Sequence, residues 1–356
     1  MRITAHSLHP YSLRYRRTVT WSDVSEDAAL FMMLRLRDED GCDGVGEVAI
    51  KPTWVGASLR SLSAVIEDMF APLLRAEFAH PSELRDRLDR IPENLVAKTL
   101  IDHACWDLFA ASQESSKTVP ASIPVSWALT RQAPSLMAQE AVQVRDAHGF
   151  KTLKVKGGQG MDVDRVALRE IRAALGDDTR LYVDANGAYK PAEAETYVKM
   201  LADAGVFAAE DPCPLTPDRS FRALQEASPI PLLVDFNCAS PRDAALFRDQ
   251  GLQALSVKPG RFGMTWAHRM AQDSAPSGVA IAVGLMGESI AGTLPGLQFA
   301  SSVSSRQWPA ELTWFLEMQE SVTKVPLDIV DGCIAMPAFR SVAETIDWDA
   351  VRKFAI

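Results

Sequence analysis

The chain has 356 residues, 47% of them hydrophobic and 23% charged, and a formal net charge of −9. This length exceeds one average domain and supplies an ample core. The acidic balance excludes nucleic acid as a main partner, because phosphate binding needs a basic surface, but leaves small anionic substrates open. In chain order, MRITAHSLHPYSLRYRR has no continuous apolar stretch of the kind a signal peptide needs, and RITAHSL reads as a strand. AALFMMLRLR (28–37) and VGEVAI form two further strands around the turn DEDGCDG. Helical spacing follows over 58–75, 81–92 and 94–112. Strands followed by helices predict a small α+β domain over 1–120, and the polar SQESSKTVPAS (112–122) reads as a linker.

From residue 121 the pattern alternates. Apolar runs at 123–128, 152–156, 180–184, 206–209, 230–234, 253–257 and 279–284 are mostly separated by amphipathic helices. DVDRVALREIRAALG has Asp162 as its expected N-cap, Leu168, Ile171 and Leu175 as its apolar face, and Gly176 as its stop. KPAEAETYVKMLADAG has Pro191 in its first turn, a stripe of Ala194, Tyr197, Val198 and Leu201, and Gly205 beyond. Such units mean parallel strands with helical crossovers, and seven or eight of them predict a closed barrel. An open doubly wound sheet is the alternative, weakened by the lack of G-x-G-x-x-G after the first strand. The five cysteines (42, 105, 213, 238 and 333) form no C-x-x-C pair, which fits free thiols in a reducing compartment. No run approaches 18 apolar residues, so no membrane span is expected and the protein reads as cytoplasmic.

Working residues of a barrel sit at the carboxyl ends of its strands. Here those ends read KTLKVKGG (Lys154, Lys156), LYVDANG (Asp184, Asn186), FAAEDP (Glu210), PLLVDFN (Asp235), ALSVKPG (Lys258) and IAVGLMGES (Glu288, Ser289). Any one of them could be a turn; D-A-N-G alone is a good turn sequence. Charges recurring at consecutive strand ends are harder to explain that way, because charge at a barrel mouth is costly unless paired or bound to metal. Asp184, Glu210 and Asp235 come from consecutive strands, and hard oxygen ligands without His or Cys favour Mg2+ or Mn2+. Asn186 lies two residues on, on the same face. Lys154 and Lys156 share a face of one strand, and Lys258 should face them across the mouth. A lysine base needs its pKa brought from about 10.4 toward 7–8, and a cation and a second ammonium push it that way. Two lysines across a metal suggest α-proton removal from a carboxylate, with the enediolate stabilised by the cation.

The ordered set K-x-K, D-x-N, E-D-P, V-D, V-K-P-G and G-x-M-x-E-S resembles the enolase superfamily in its muconate lactonizing enzyme subgroup, whose wider superfamily uses a Lys or His base with Mg2+. GVGEV and AKTLIDHACWDLFA resemble that family's capping domain and the helix leading into its barrel. The resemblance implies a (β/α)7β TIM-like barrel over 121–322, an α+β cap over 1–120, and a C-terminal segment, 323–356, returning to the cap. It implies Asp184, Glu210 and Asp235 as Mg2+ ligands, Lys156 and Lys258 as acid/base lysines, and Lys154 as their assistant. Family members often carry Asp-Glu-Ser where this chain has Asp235, Phe236 and Asn237, so an acidic neighbour is lost. RQWPAELTWFLE lacks the D-x-D of dipeptide epimerases and resembles the Glu-Leu stretch of muconate cycloisomerases, which gives Glu311 a substrate-site role or that of a rim salt bridge. Specificity is expected from cap loops near 15–25 and in KPTWVGAS, where Trp54 could cover the substrate; packing is the alternative for that residue. Glu288 and Asn186 complete the expected substrate contacts.

The expected activity is a Mg2+-dependent isomerase, a cycloisomerase or a racemase/epimerase, acting on a small-molecule carboxylate as a homo-oligomer. A dehydratase like o-succinylbenzoate synthase, a non-catalytic metal-binding barrel and a phosphate-binding barrel using GLMGESIAG are the alternatives.

Overall fold

Apolar and polar side chains alternate through the first twenty residues and set the first element. Leu13, Tyr15 and Val19 are buried while Arg14 and Arg16 point outward, the period-two pattern of a strand. In this computed structural model, which describes residues 1–21, 24–113, 122–303 and 308–356, β1 (Ile3–Trp21) pairs antiparallel with β2 (Val24–Asp38), and β2 with β3 (Asp43–Ala49). The loop expected near 15–25 is therefore largely strand, and residues 22–23 lie outside the described residues. FMML (31–34) shows no alternation because both faces of β2 are covered there. Phe31 and Met33 join the core shared with the parallel sheet that follows; Met32, Leu34 and Leu36 join a second core under the cap helices.

Those helices are α1 (Pro52–Val55), α2 (Leu59–Val65), α3 (Ala71–Leu74), α4 (Pro81–Leu88) and α5 (Leu95–Ser112). The helix expected over 58–75 widens into a π turn at Ile66–Phe70, just ahead of Pro72, which has no N–H for the carbonyl four residues back. The one expected over 81–92 ends at Leu88, before the Ile91–Pro92 step that disfavours helix. GVGEV explains how closely α5 lies on the sheet. A Cβ at Gly44 would overlap the Ala104 carbonyl, and one at Gly46 the Leu100 carbonyl.

The rest alternates as expected: β4 (Ser122–Pro124), β5 (Trp127–Leu129), α6 (Pro134–His148), β6 (Thr152–Lys156), α7 (Met161–Leu175), β7 (Arg180–Asp184), α8 (Pro191–Asp203), β8 (Val206–Glu210), α9 (Arg219–Ala227), β9 (Leu232–Val234), α10 (Pro241–Asp249), β10 (Ala254–Val257), α11 (Pro259–Ser274), β11 (Ala280–Val283) and α12 (Ile290–Ser302). β12 (Ile329–Val330), β13 (Cys333–Ala335), α13 (Val342–Thr345) and α14 (Trp348–Lys353) follow. The run at 123–128 is not one strand. It divides after Pro124, so that β4 pairs with β13 while β5 begins the parallel sheet. That sheet has seven strands in sequential order, β5 through β11, and it curls. The segment 308–311 bonds to both of its ends. Trp308 and Glu311 donate to the Ile281 and Val283 carbonyls (2.9 and 2.8 Å), and Ala310 donates to the Pro124 carbonyl and accepts from Ser126 (both 2.8 Å).

Two capping details depart from expectation. α7 begins at Met161 with Gly160 before it, and Asp162 is exposed; Asp164 instead accepts from the Gly158 and Gln159 amides ahead of the helix. The stripe of Leu168, Ile171 and Leu175 is buried as expected, as is that of Ala194, Tyr197, Val198 and Leu201 in α8. Most of the expected linker, residues 114–121, lies outside the described residues. The C-terminal residues return to the cap: Ser12 donates to the Phe354 carbonyl, and Ile356 to that of Pro10. Among the described residues no helix is long and apolar enough to cross a membrane.

Candidate active site

Strand register brings the expected side chains side by side. Lys156 pairs with Asp184 across β6 and β7, and Asp184 with Glu210 across β7 and β8; Asp235 directly follows β9 and Lys258 directly follows β10. Neighbouring strands lie about 4.8 Å apart, so the carboxylates crowd together. Asp184 and Glu210 are wholly buried and Asp235 nearly so.

The lysines answer that charge. Lys154 Nζ lies 3.0 Å from Asp184 Oδ2, 2.7 Å from Glu210 Oε2 and 3.0 Å from Glu311 Oε1. Lys156 Nζ is 2.6 Å from the same Asp184 oxygen, so both lysines of K-x-K reach one carboxylate, as their shared strand face requires. Lys258 Nζ lies 2.5 Å from Asp235 Oδ2 at the other end of the set. Burial opposes the charge of Asp184, yet Lys154 and Lys156 hold its carboxyl well below the usual range. Burial likewise opposes the charge of Lys154, but Asp184, Glu210 and Glu311 hold its ammonium well above the ordinary lysine value. Lys258 was expected to be depressed. Despite burial it is raised, because the Asp235 carboxylate faces the ammonium directly and outweighs Lys154.

As these side chains stand, no three carboxylate, imidazole or thiol groups among the described residues are grouped to hold a metal ion. The Lys154 ammonium takes the central place. The donor chemistry nevertheless suits a hard divalent cation. Glu210 Oε2 and Asp235 Oδ1 are buried without an aligned hydrogen bond, although Lys154 Nζ is close to the first and Arg261 Nη1 is 3.9 Å from the second. Buried anionic oxygens left in this way are costly unless a cation takes them.

The other expected residues fall into three settings. Asn186 adopts a left-handed φ of 52°, donates its amide to Asp184 Oδ1 (2.8 Å) and its side chain to Oδ2 (3.2 Å), and so both turns the chain and orients the carboxylate. Glu311 is not at a rim. It is buried inside the sheet, where it accepts from Lys154 and from Tyr182 Oη (2.8 Å). Glu288 is buried against Gly260 in the first turn of α11, accepts the Met286 amide (2.8 Å), and is pushed up to about 7 by burial. Trp54, partly exposed on α1, lines a cavity of about 140 Å3 between the cap and the curled parallel sheet's helices with Val48, Leu95, Gly260, Arg261 and Met286.

Several contributing residues escaped the sequence reading. Asp211 accepts the Asp235 and Phe236 amides (3.2 and 2.7 Å) and so fixes the end of β9; it sits in the quoted E-D-P, one residue past Glu210. Gly284 leaves room for the Lys258 stem, since a Cβ there would stand 2.7 Å from Cε. Glu47 of GVGEV accepts from Tyr11 and from the Ser289 amide and hydroxyl (3.0 and 2.5 Å), which keys the cap to the start of α12. Phe236, where family members often carry Glu, is 71% exposed, and its carbonyl accepts from Arg261.

Fold and site together define an enolase-like protein, a capped parallel α/β sheet with its charged groups at the strand ends. Residues 136–341 match the enolase C-terminal domain-like family, and residues 10–118 match the mandelate racemase / muconate lactonizing enzyme N-terminal domain. The chain belongs to the mandelate racemase / muconate lactonizing enzyme family. It is 27% identical to a chloromuconate cycloisomerase of Cupriavidus necator over 99% of both chains. It is 28% identical to an o-succinylbenzoate synthase of Geobacillus kaustophilus over 83% of this chain and 84% of the other. The crystal structure of a muconate lactonizing enzyme from Mucobacterium smegmatis, complexed with muconolactone, superposes with a TM-score of 0.90 at 29% identity over all of both chains.

Proposed function

We propose that this protein is a Mg2+-dependent isomerase that removes the α-proton of a small carboxylate substrate. The observation that carries the reading is the opposition of Lys156 on Asp184 to Lys258 on Asp235, with Glu210 between them. Asp184, Glu210 and Asp235 would hold Mg2+, or Mn2+. When bound, the cation supplies the positive charge that stabilises the enediolate. Lys156 and Lys258 take and return the proton at the substrate α-carbon. Lys154, fixed by three carboxylates, keeps positive charge beside them. Trp54 and Glu288 bound the space for the substrate, and Asn186 holds Asp184 in its orientation.

Cycloisomerisation is the favoured reaction, supported by full-length similarity to a chloromuconate cycloisomerase. Racemisation uses the same two lysines. Dehydration is a second reading, supported by similarity to an o-succinylbenzoate synthase. The bonds from 308–311 to both ends of the sheet support a closed (β/α)7β barrel. We divide the chain into a cap (1–120), the barrel (121–322) and a returning segment (323–356). A homo-oligomer in a reducing cytoplasm fits the five free cysteines and the family.

The test is a screen of carboxylates, muconolactone among them, for α-proton exchange in D2O with Mg2+ present. Exchange from one of them, absent in Lys156→Ala, is the expected result. No exchange from any would overturn the reading.

A further inference from the structure

Lys258 stands at the N-cap of a helix that breaks almost at once. Its carbonyl accepts from Arg261 and Phe262 (2.9 and 3.0 Å), and then Gly263 takes a non-helical φ of 79° and ψ of 166°. The break deprives the first-turn carbonyls of their usual amide partners four residues on. The cap supplies replacements. His103 Nε2 donates to the Pro259 carbonyl (2.9 Å), Thr99 Oγ1 to that of Arg261 (2.8 Å), and Arg85 Nη1 to that of Phe262 (2.6 Å). The Thr265 amide and hydroxyl, turned away from the helix, donate to Asp102 (2.8 and 2.6 Å). Thr99, Asp102 and His103 recur at helical spacing on one face of α5, and all of these cap groups are buried. Glycine is required at 263 twice over: for its positive φ, and because a Cβ would overlap Asp102 Oδ2.

The imidazole of His103 has a fixed job here. A carbonyl can only accept, so Nε2 carries the proton, and Nδ1 is left buried without a partner. Burial pushes His103 down to about 4, so it remains a neutral donor at physiological pH. The turn after Lys156 is fastened differently, by groups of the barrel. Asp164 takes the Gly158 and Gln159 amides together with the Tyr189 and Tyr197 hydroxyls (2.6 and 2.7 Å), and Arg131 donates to the Gly157 carbonyl (2.7 Å).

We propose that His103 and Thr99 are positioning residues for Lys258, acting through the Pro259 and Arg261 carbonyls, so that the cap aims one lysine of the pair while the barrel aims the other. The inference rests on the reading of Lys258 as an acid/base group.

The test is competitive acetylation of the full-length protein by acetic anhydride, with Lys258 and Lys156 read in the same sample by mass spectrometry. His103→Ala should change Lys258 labelling by about threefold or more through local loosening and leave Lys156 as in wild type. His103→Gln, which can still donate to Pro259, should restore it. Thr99→Val should act in the same direction and Thr99→Ser should restore it, which carries the test if His103→Ala does not fold. Labelling that moves equally at both lysines, or at neither, overturns the proposal. With muconolactone and Mg2+ in D2O, His103→Ala should slow exchange by about tenfold to a hundredfold. A wild type that exchanges no carboxylate would remove the acid/base reading of Lys258, while the acetylation ratio would still decide whether the cap positions it.

Discussion

Lys156 and Asp184 occupy paired positions on adjacent strands, and their charged ends meet at 2.6 Å. The contact leaves Lys156 partly exposed toward the mouth while Asp184 is buried beneath it. A base needs that access to a substrate proton. Lys156→Ala should therefore lower α-proton exchange by about 10²–10⁴-fold, the usual share of a positioned acid or base. Asp184 keeps Lys154 as a partner, so the variant should fold and still gain thermal stability from added Mg2+. NMR exchange in D2O and a thermal shift with Mg2+ check both halves. Unchanged exchange would rule out a base role.

Glu210 lies at the centre of the carboxylate set, and its Oε2 is a buried oxygen without an aligned donor. Burial and then the Asp184 carboxylate raise Glu210 well above its ordinary value, so a bound cation must displace its proton, and Glu210→Gln removes that ionisable group with little change in volume. Wild-type protein at 100-fold excess of Mg2+ over its Kd should gain about 2.7 kcal/mol of stability, and the variant should gain far less at the same concentration. Phe236→Glu should act the other way. It restores an acid beside Asp235 and within reach of Arg261, so the Mg2+ midpoint should fall. Both are read from Tm against Mg2+ concentration. Equal Mg2+ responses in wild type and Glu210→Gln would place the cation elsewhere.

Much of this site was legible in the sequence because parallel strands end on one side of their sheet. Spacing alone brings Asp184, Glu210, Asp235 and Lys258 to a common rim, and the K-x-K period puts Lys154 and Lys156 on one face. What spacing could not convey is which charge faces which. Glu311 was expected at the rim or on substrate, yet it lies inward on Lys154 and Tyr182, an arrangement set by side-chain reach across the sheet. The pairing of α5 with the turn after Lys258 was equally hidden, since His103 and Pro259 are 156 residues apart. In the fold, β1 runs on through SLRYRRTV, where arginines on the exposed face give the sequence the look of a loop. The run at 123–128 is two strands because the Val125 and Ser126 amides turn to the Gly332 and Ala310 carbonyls, partners that lie about 200 residues away in the sequence.

If the cavity lined by Trp54 takes the substrate, as the proposed function has it, the cap contributes directly to binding. It is 39% exposed and borders the cavity that reaches Gly260, two residues beyond Lys258. A residue that only covers the substrate contributes equally before and during reaction. Trp54→Ala should therefore raise KM by about tenfold, a loss of about 1.4 kcal/mol, with kcat nearly unchanged. Trp54→Phe should recover most of the difference. A fall in kcat at constant KM would instead assign Trp54 to the reacting geometry.

Asp107 predicts a pH dependence of stability. This buried carboxylate on α5 accepts the Val45 amide of the cap sheet (2.8 Å) and the Val342 and Ala343 amides of the returning segment (2.5 and 3.0 Å). Burial pushes it from 3.8 up to about 7, against the pull of those amides. The folded state thus holds the proton over a range in which the unfolded chain has released it. The stabilisation is fully present below about pH 4 and is lost as the pH rises through about 7. At 1.36 kcal/mol per pH unit it amounts to at most about 4 kcal/mol. Urea unfolding of wild type and Asp107→Asn between pH 5 and 7.5 checks this. The stability of wild type should fall relative to the variant as the pH rises, because Asn has no proton to lose. Asp107→Ala should be less stable than Asn throughout, since it strands three buried amides at about 1–3 kcal/mol each. Parallel pH curves for wild type and Asp107→Asn would mean that the three amides keep the carboxylate ionised and that burial does not control its proton.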